Sequence, residues 1–214
     1  MTAIQLTCLI IYLLCSAYVI KHTSLQRLLH DKKLQHRLFG ASTVLFILWL
    51  FRVSIHDGLV MHFLGLTALC LILGFRWSLI SATSILLVIT VLGYESYETI
   101  GVNGLFGVIL PLTVSYGIYM LTFHKMQRHL FIYIFICGFL AGALSIALKM
   151  GCLSGYYYID GFYEWNVITY NYTQMIVLLV FQEAFFNGML MTCLIVYKPE
   201  WVYTFSDKFY LDGK

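Results

Sequence analysis

Charge is what this chain has least of: 11% of its 214 residues are Asp, Glu, Lys or Arg, while 61% are hydrophobic. Soluble domains carry about 25% charged residues, so the composition excludes an ordinary soluble enzyme and points to a multi-span membrane protein. Proline is also scarce, with two residues, so little breaks the apolar runs. A formal charge of +3 is too small to suggest a nucleic-acid partner. The six cysteines are scattered with no C-x-x-C spacing, and within apolar segments a thiol acts as a small apolar residue. There is no G-x-S-x-G, H-E-x-x-H, P-loop or Rossmann pattern, so neither ATP hydrolysis nor dinucleotide chemistry is encoded. An intramembrane enzyme using Glu183 with a histidine would lack a nucleophile or metal motif, and a non-enzymatic role is expected.

What is present is a series of seven apolar segments: Ile4 to Ile20, Leu38 to Val53, Leu59 to Phe75, Ser78 to Gly93, Leu105 to Phe123, Leu130 to Leu148 and Tyr172 to Tyr197. Most approach the roughly 20 residues that a spanning helix needs. The expectation is one all-α polytopic membrane domain over residues 1–214, with about seven transmembrane helices. The first segment, which lacks a basic stretch before it, reads as a retained helix. Eleven of the 13 basic residues fall on alternate connections and the tail, leaving Arg52 and Lys149 on the other side. The positive-inside rule then places the N-terminus out and the C-terminus in. The outer loops are acidic and aromatic, with Tyr156, Tyr157, Tyr158, Phe162, Tyr163, Trp165 and Tyr170 expected as an interfacial belt.

Three polar islands interrupt this pattern. The first is His62 in an apolar run, preceded by His56 and Asp57; an imidazole at membrane depth needs a partner, and Gly65 lies one turn away if the run is helical. Neutral imidazole suits a divalent transition metal, with His56 as a second nitrogen, while a hydrogen bond within the bundle explains His62 equally well. The second is Tyr94 to Gly104, where Asn103 offers a donor and an acceptor, either in a cavity-lining loop or in an ordinary turn. The third is Gln182 to Gly188, where Glu183 and Asn187 share a helix face as a polar bolt, proton relay or gate.

In order, these islands resemble the CbiM-type membrane components of cobalt and nickel uptake, the substrate-specific part of energy-coupling factor ABC transporters. The family's His-Pro-Thr-Gly-Thr motif and the following Leu-Phe-Gly are similar to His62-Phe-Leu-Gly65-Leu-Thr67 and Leu73-Gly74-Phe75. Its Thr-Thr-Leu-Gly-Ala-Asn stretch is similar to Glu98-Thr-Ile-Gly-Val-Asn103, followed by Pro111, and its Glu-Gly-Leu-Leu-Thr to Asn187-Gly-Met-Leu-Met-Thr192. The resemblance covers residues 56–192. It implies that His62 is a metal ligand; on the reading of the islands themselves, His56 or Asp57 would assist it and Asn103 and Gly65 would support the site. The family's Met-His start is replaced here by Met1-Thr2.

By the resemblance, the chain takes a divalent ion of the cobalt or nickel class as substrate, in a bacterial cytoplasmic membrane. Its partners are then a transmembrane coupling protein and ATPase subunits, with the tail at residues 198–214 as a docking segment. The alternative is an accessory or assembly subunit that keeps the fold without transporting metal.

Overall fold

In the computed structural model, which describes residues 1–54, 56, 58–206 and 210, most apolar runs are helical. The first helix, α1 (Ala3–Lys21), opens on a capping box: Thr2 accepts from the Gln5 N–H, and the Gln5 side chain accepts from the Thr2 N–H. A short α2 (Leu25–His30) leads to α3 (Lys32–Leu50), whose N-cap Asp31 accepts from the Leu34 N–H at 3.0 Å. An antiparallel hairpin follows, β1 (Arg52–Ser54) with β2 (Val60–His62), placing Arg52 opposite His62. Then come α4 (Leu66–Leu73), α5 (Phe75–Val91) and three long helices, α6 (Tyr97–Lys125), α7 (Leu130–Ile159) and α8 (Trp165–Tyr197).

By length and composition, α1, α6, α7 and α8 can each cross a membrane, and α5 is a shorter apolar helix of 17 residues. The expected third span, Leu59 to Phe75, is not a spanning helix: apart from Phe75, which opens α5, its helical part is the eight residues of α4. At 1.5 Å per residue that is about 12 Å, against about 30 Å of hydrocarbon. Glycines set both limits, because Gly65 at φ +61° and Gly74 at φ +78° hold left-handed conformations that end a right-handed helix. A helix apolar on every side has no face for water, and all eight residues of α4 are buried inside the bundle.

The ends of so short a helix expose backbone groups that must find partners elsewhere. At the N-terminus, α8 supplies them. The Glu183 carboxylate accepts from the N–H groups of Leu64 at 2.8 Å and Gly65 at 2.7 Å, and Asn187 Oδ1 accepts from the Ala68 N–H at 2.9 Å. At the C-terminus the segment after α8 does so: the N–H groups of Tyr203 and Thr204 donate to Ile72 O at 3.1 Å and Leu71 O at 3.2 Å. Val202, Thr204 and Phe205 are accordingly buried, so this part of the tail is fastened to its own bundle. Residues 207–209 and 211–214 of the expected docking tail lie outside the described residues.

Close helix crossings frame the rest. A Cβ at Gly101 of α6 would lie 2.5 Å from the Leu9 backbone, so glycine is what lets α1 and α6 touch. The small residues of α7 meet α8, where a Cβ at Gly138 would lie 3.3 Å from the Gly188 Cα. Two boundaries differ from expectation. Helix α7 continues past Leu148 to Ile159, because nothing after Lys149 breaks it, and this draws Tyr156 and Tyr157 inside at 3% exposure each. Of the expected belt, Tyr158, Phe162, Trp165 and Tyr170 are exposed. Likewise the Tyr94 to Gly104 island is helical from Tyr97, so Asn103 projects from α6.

Candidate functional site

The hairpin, α3, α5, the start of α6 and α7 line a partly open cavity of about 20 Å³ whose polar lining is Arg52, His62, Glu95, Asn103 and Lys149, with Trp49 beside them. That is room for one water-sized guest.

His62 reaches the cavity from the last position of β2. Its Nδ1 lies 2.8 Å from Phe63 O and its Nε2 lies 3.0 Å from Lys149 Nζ. A carbonyl only accepts and an ammonium only donates, so Nδ1 carries the proton and Nε2 presents its lone pair to the lysine. The Trp49 ring meets the imidazole edge-on with centroids 5.3 Å apart, and Trp49 is itself fixed by donating Nε1–H to Leu64 O at 2.9 Å. On this hairpin, outside the spanning helices, burial and then the Lys149 charge hold His62 well below the usual imidazole range. The ring is therefore neutral at physiological pH, the form that binds metals.

Lys149 comes from the interior of α7 and is 5% exposed. Among the described residues it enters no ion pair. Opposite it, α6 has a π-helical stretch at Leu105–Ile109 that includes Gly107; a Cβ there would lie 3.9 Å from Lys149 Cε. Such stretches are frequent at functional sites.

The remaining wall is a closed set. Arg52 Nη1 pairs with Glu95 Oε1 at 2.6 Å, Asn103 Nδ2 donates to Glu95 Oε2 at 2.8 Å, and Arg52 Nε donates to Trp49 O at 2.9 Å. Both oxygens of Glu95 are thus engaged, and the pair is largely buried, with side-chain exposures of 10% and 12%.

The structure brings His62 and Asn103 to one cavity but separates the other expected site residues. Gly65 is the left-handed N-cap of α4 and does not share a helical face with His62, which is in a strand. His56 is exposed, 5.8 Å ring to ring from Tyr163, and does not line the cavity; Asp57 lies outside the described residues. Glu183 and Asn187 are joined, with Asn187 Nδ2 donating to Glu183 Oε1 at 2.8 Å, and they serve the α4 N-terminus. Among the described residues no three of His, Cys, Asp and Glu come together as a metal-holding group. Sequence reasoning missed Arg52, Glu95 and Lys149. One signal was available: Arg52 and Lys149 are the two basic residues that depart from the positive-inside pattern, and both turn out to line the cavity.

Fold and site together define a polytopic membrane bundle around a small polar cavity in which one imidazole lone pair faces a cation. More particularly, the chain belongs to the CbiM family, the cobalt uptake substrate-specific transmembrane region, whose family model matches residues 2–201. It is similar in fold to a truncated transition metal transporter, with a TM-score of 0.73 at 20% identity over 91% of this chain and 93% of that one. A second transition metal transporter structure aligns with a TM-score of 0.72 at 20% identity, over 90% of this chain and 86% of that one. No curated protein matches the chain.

Proposed function

We propose that this chain is the substrate-specific membrane component of a divalent transition-metal uptake system of the cobalt or nickel class. It takes the ion from the outer side of a bacterial cytoplasmic membrane, with the N-terminus out and the C-terminus in. A transmembrane coupling protein and ATPase subunits supply the energy, since the chain has no nucleotide-binding motif. The observation that carries the reading is His62: within a chain of this family, its neutral Nε2 lone pair is aimed into a small polar cavity. His62 is then the primary ligand, Asn103 and the Arg52–Glu95 pair shape the wall, and the hairpin closes over the ion. Borderline divalent ions favour such nitrogen donors. His56, at the hairpin's exposed turn, and Asp57 beside it are proposed for ion capture, and Gly65 for the turn that presents His62.

The test is accumulation of radioactive cobalt or nickel by cells expressing the chain with its coupling partners. Wild type is expected to accumulate the ion, and His62→Ala to reduce uptake by about tenfold or more. Equal or negligible uptake by both would overturn the ligand assignment.

The contact between Lys149 and His62 favours a second reading: an accessory subunit that keeps the fold and binds other membrane proteins without moving metal. It predicts that co-purification with the coupling protein survives His62→Ala while neither form accumulates the ion.

A further inference from the structure

A lysine buried at membrane depth is costly, and a lysine there for packing alone turns its ammonium toward water. Lys149 instead directs its ammonium into the cavity, where it meets His62 Nε2 at 3.0 Å. The proposed function does not use this residue.

We propose that Lys149 is a tethered cation: its ammonium holds the place at His62 that a divalent ion must take, and so sets how tightly the cavity accepts one. The proposal rests on the reading of His62 as the ion's nitrogen ligand.

Two observations carry it. The first is direction. Neutral imidazole has one ring lone pair, and with Nδ1 committed to Phe63 O that pair is on Nε2, where Lys149 already sits. A metal ion bonds along the same line at about 2.0–2.1 Å, so ion and ammonium cannot share it. The second is charge. An entering ion would meet the Lys149 ammonium and the Arg52 guanidinium in a half-buried site, where repulsion is less screened than in open water. The cavity's carboxylate, Glu95, is held by Arg52 at 2.6 Å and Asn103 at 2.8 Å, so its charge is already paired and its position fixed. The space beside the ammonium, about 20 Å³, suits a single water better than an ion with its own ligands. The residues lining the cavity thus carry one net positive charge, with the Glu183 carboxylate behind them also within electrostatic reach of Lys149, and entry of a divalent ion requires the lysine to withdraw along its flexible stem.

The experiment titrates cobalt(II) into the purified full-length chain, read by calorimetry and by the visible absorption of nitrogen-ligated cobalt. It compares wild type, Lys149→Met, Lys149→Arg and the double variant Lys149→Met with His62→Ala. Lys149→Met is expected to bind at least about tenfold tighter than wild type and to gain the absorption band, because one buried like charge is gone. Lys149→Arg, which keeps the charge, should remain as weak as wild type, an outcome that a packing role does not produce. The double variant should lose the gain. Thermal unfolding verifies each fold, and Lys149→Gln makes the same comparison if the methionine variant does not fold. Equal affinity in wild type and Lys149→Met overturns the tether; if the double variant loses that shared binding, the ligand reading of His62 survives alone. No binding in any variant overturns both. Binding confined to Lys149→Met upholds the tether and identifies the natural chain as the non-transporting subunit.

Discussion

Two buried polar clusters flank the same turn of chain, Phe63 to Gly65, and they are built in opposite ways. At Glu183 and Asn187, acceptors meet the N–H groups of Leu64, Gly65 and Ala68 within 2.7–2.9 Å, and the two side chains are joined at 2.8 Å. At His62 and Lys149, a buried ammonium meets one neutral nitrogen and enters no ion pair among the described residues. The first cluster replaces the helix turn that α4 does not have, and its negative charge faces the positive end of the helix dipole. Such a cluster has nothing to exchange. The second leaves a lone pair and a charge whose partners can be traded, which is what a binding site requires and a bolt does not.

This contrast breaks most readily at Glu183. Replacing it with Ala leaves two buried N–H groups without an acceptor and takes one of the two acceptors of Asn187, whose bond to the residue-183 carbonyl remains, and about 3–5 kcal/mol of stability is expected to be lost. Thermal unfolding in detergent should show a large drop in Tm or no folded protein. A variant that unfolds like wild type but no longer supports uptake would make Glu183 a relay or gate, and the contrast would fail.

Asn187→Ala sharpens the same side. It removes the acceptor for the Ala68 N–H and the donor to Glu183, both fully buried, while sparing the carboxylate contacts to Leu64 and Gly65. A loss of about 1–3 kcal/mol is expected, smaller than at Glu183 because one orphaned backbone donor replaces two. Should the order be reversed, the carboxylate is not what holds α4.

The two clusters were also unequally legible in the sequence. Glu183 and Asn187 are four residues apart on one helix, so their shared face followed from helical periodicity, and in the structure a hydrogen bond joins them. Their partners did not follow, because the N–H groups they serve are more than a hundred residues away. His62 was visible as an expensive residue, but its run read as a helix. Apolar content alone does not separate a short buried helix behind a hairpin from a span, and the breaks come from Gly65 and Gly74. Lys149 was hidden for a different reason: it follows the last of an apolar run, which reads as a helix end reaching water. Only the packing of α7 against α6 and the hairpin turns it inward, 87 residues from the histidine it meets.

The smallest effect expected is the most discriminating. Lys149→Met removes a 5% exposed charge from the bundle and puts a flexible apolar chain of similar length in its place. If Lys149 were a bolt like Glu183, this change would cost several kcal/mol, because a structural partner would be left unsatisfied. If its ammonium is instead held at an exchangeable site, the desolvation cost that it carries disappears. What is lost is one hydrogen bond to a neutral imidazole, worth about 1 kcal/mol. The two terms oppose each other, so stability should stay within about 1 kcal/mol of wild type by thermal unfolding in metal-free buffer. Adding cobalt(II) should then raise the Tm of Lys149→Met more than that of wild type, since a ligand stabilises only the state that binds it. A destabilisation equal to that of Glu183→Ala would make the two clusters alike and assign Lys149 to the scaffold.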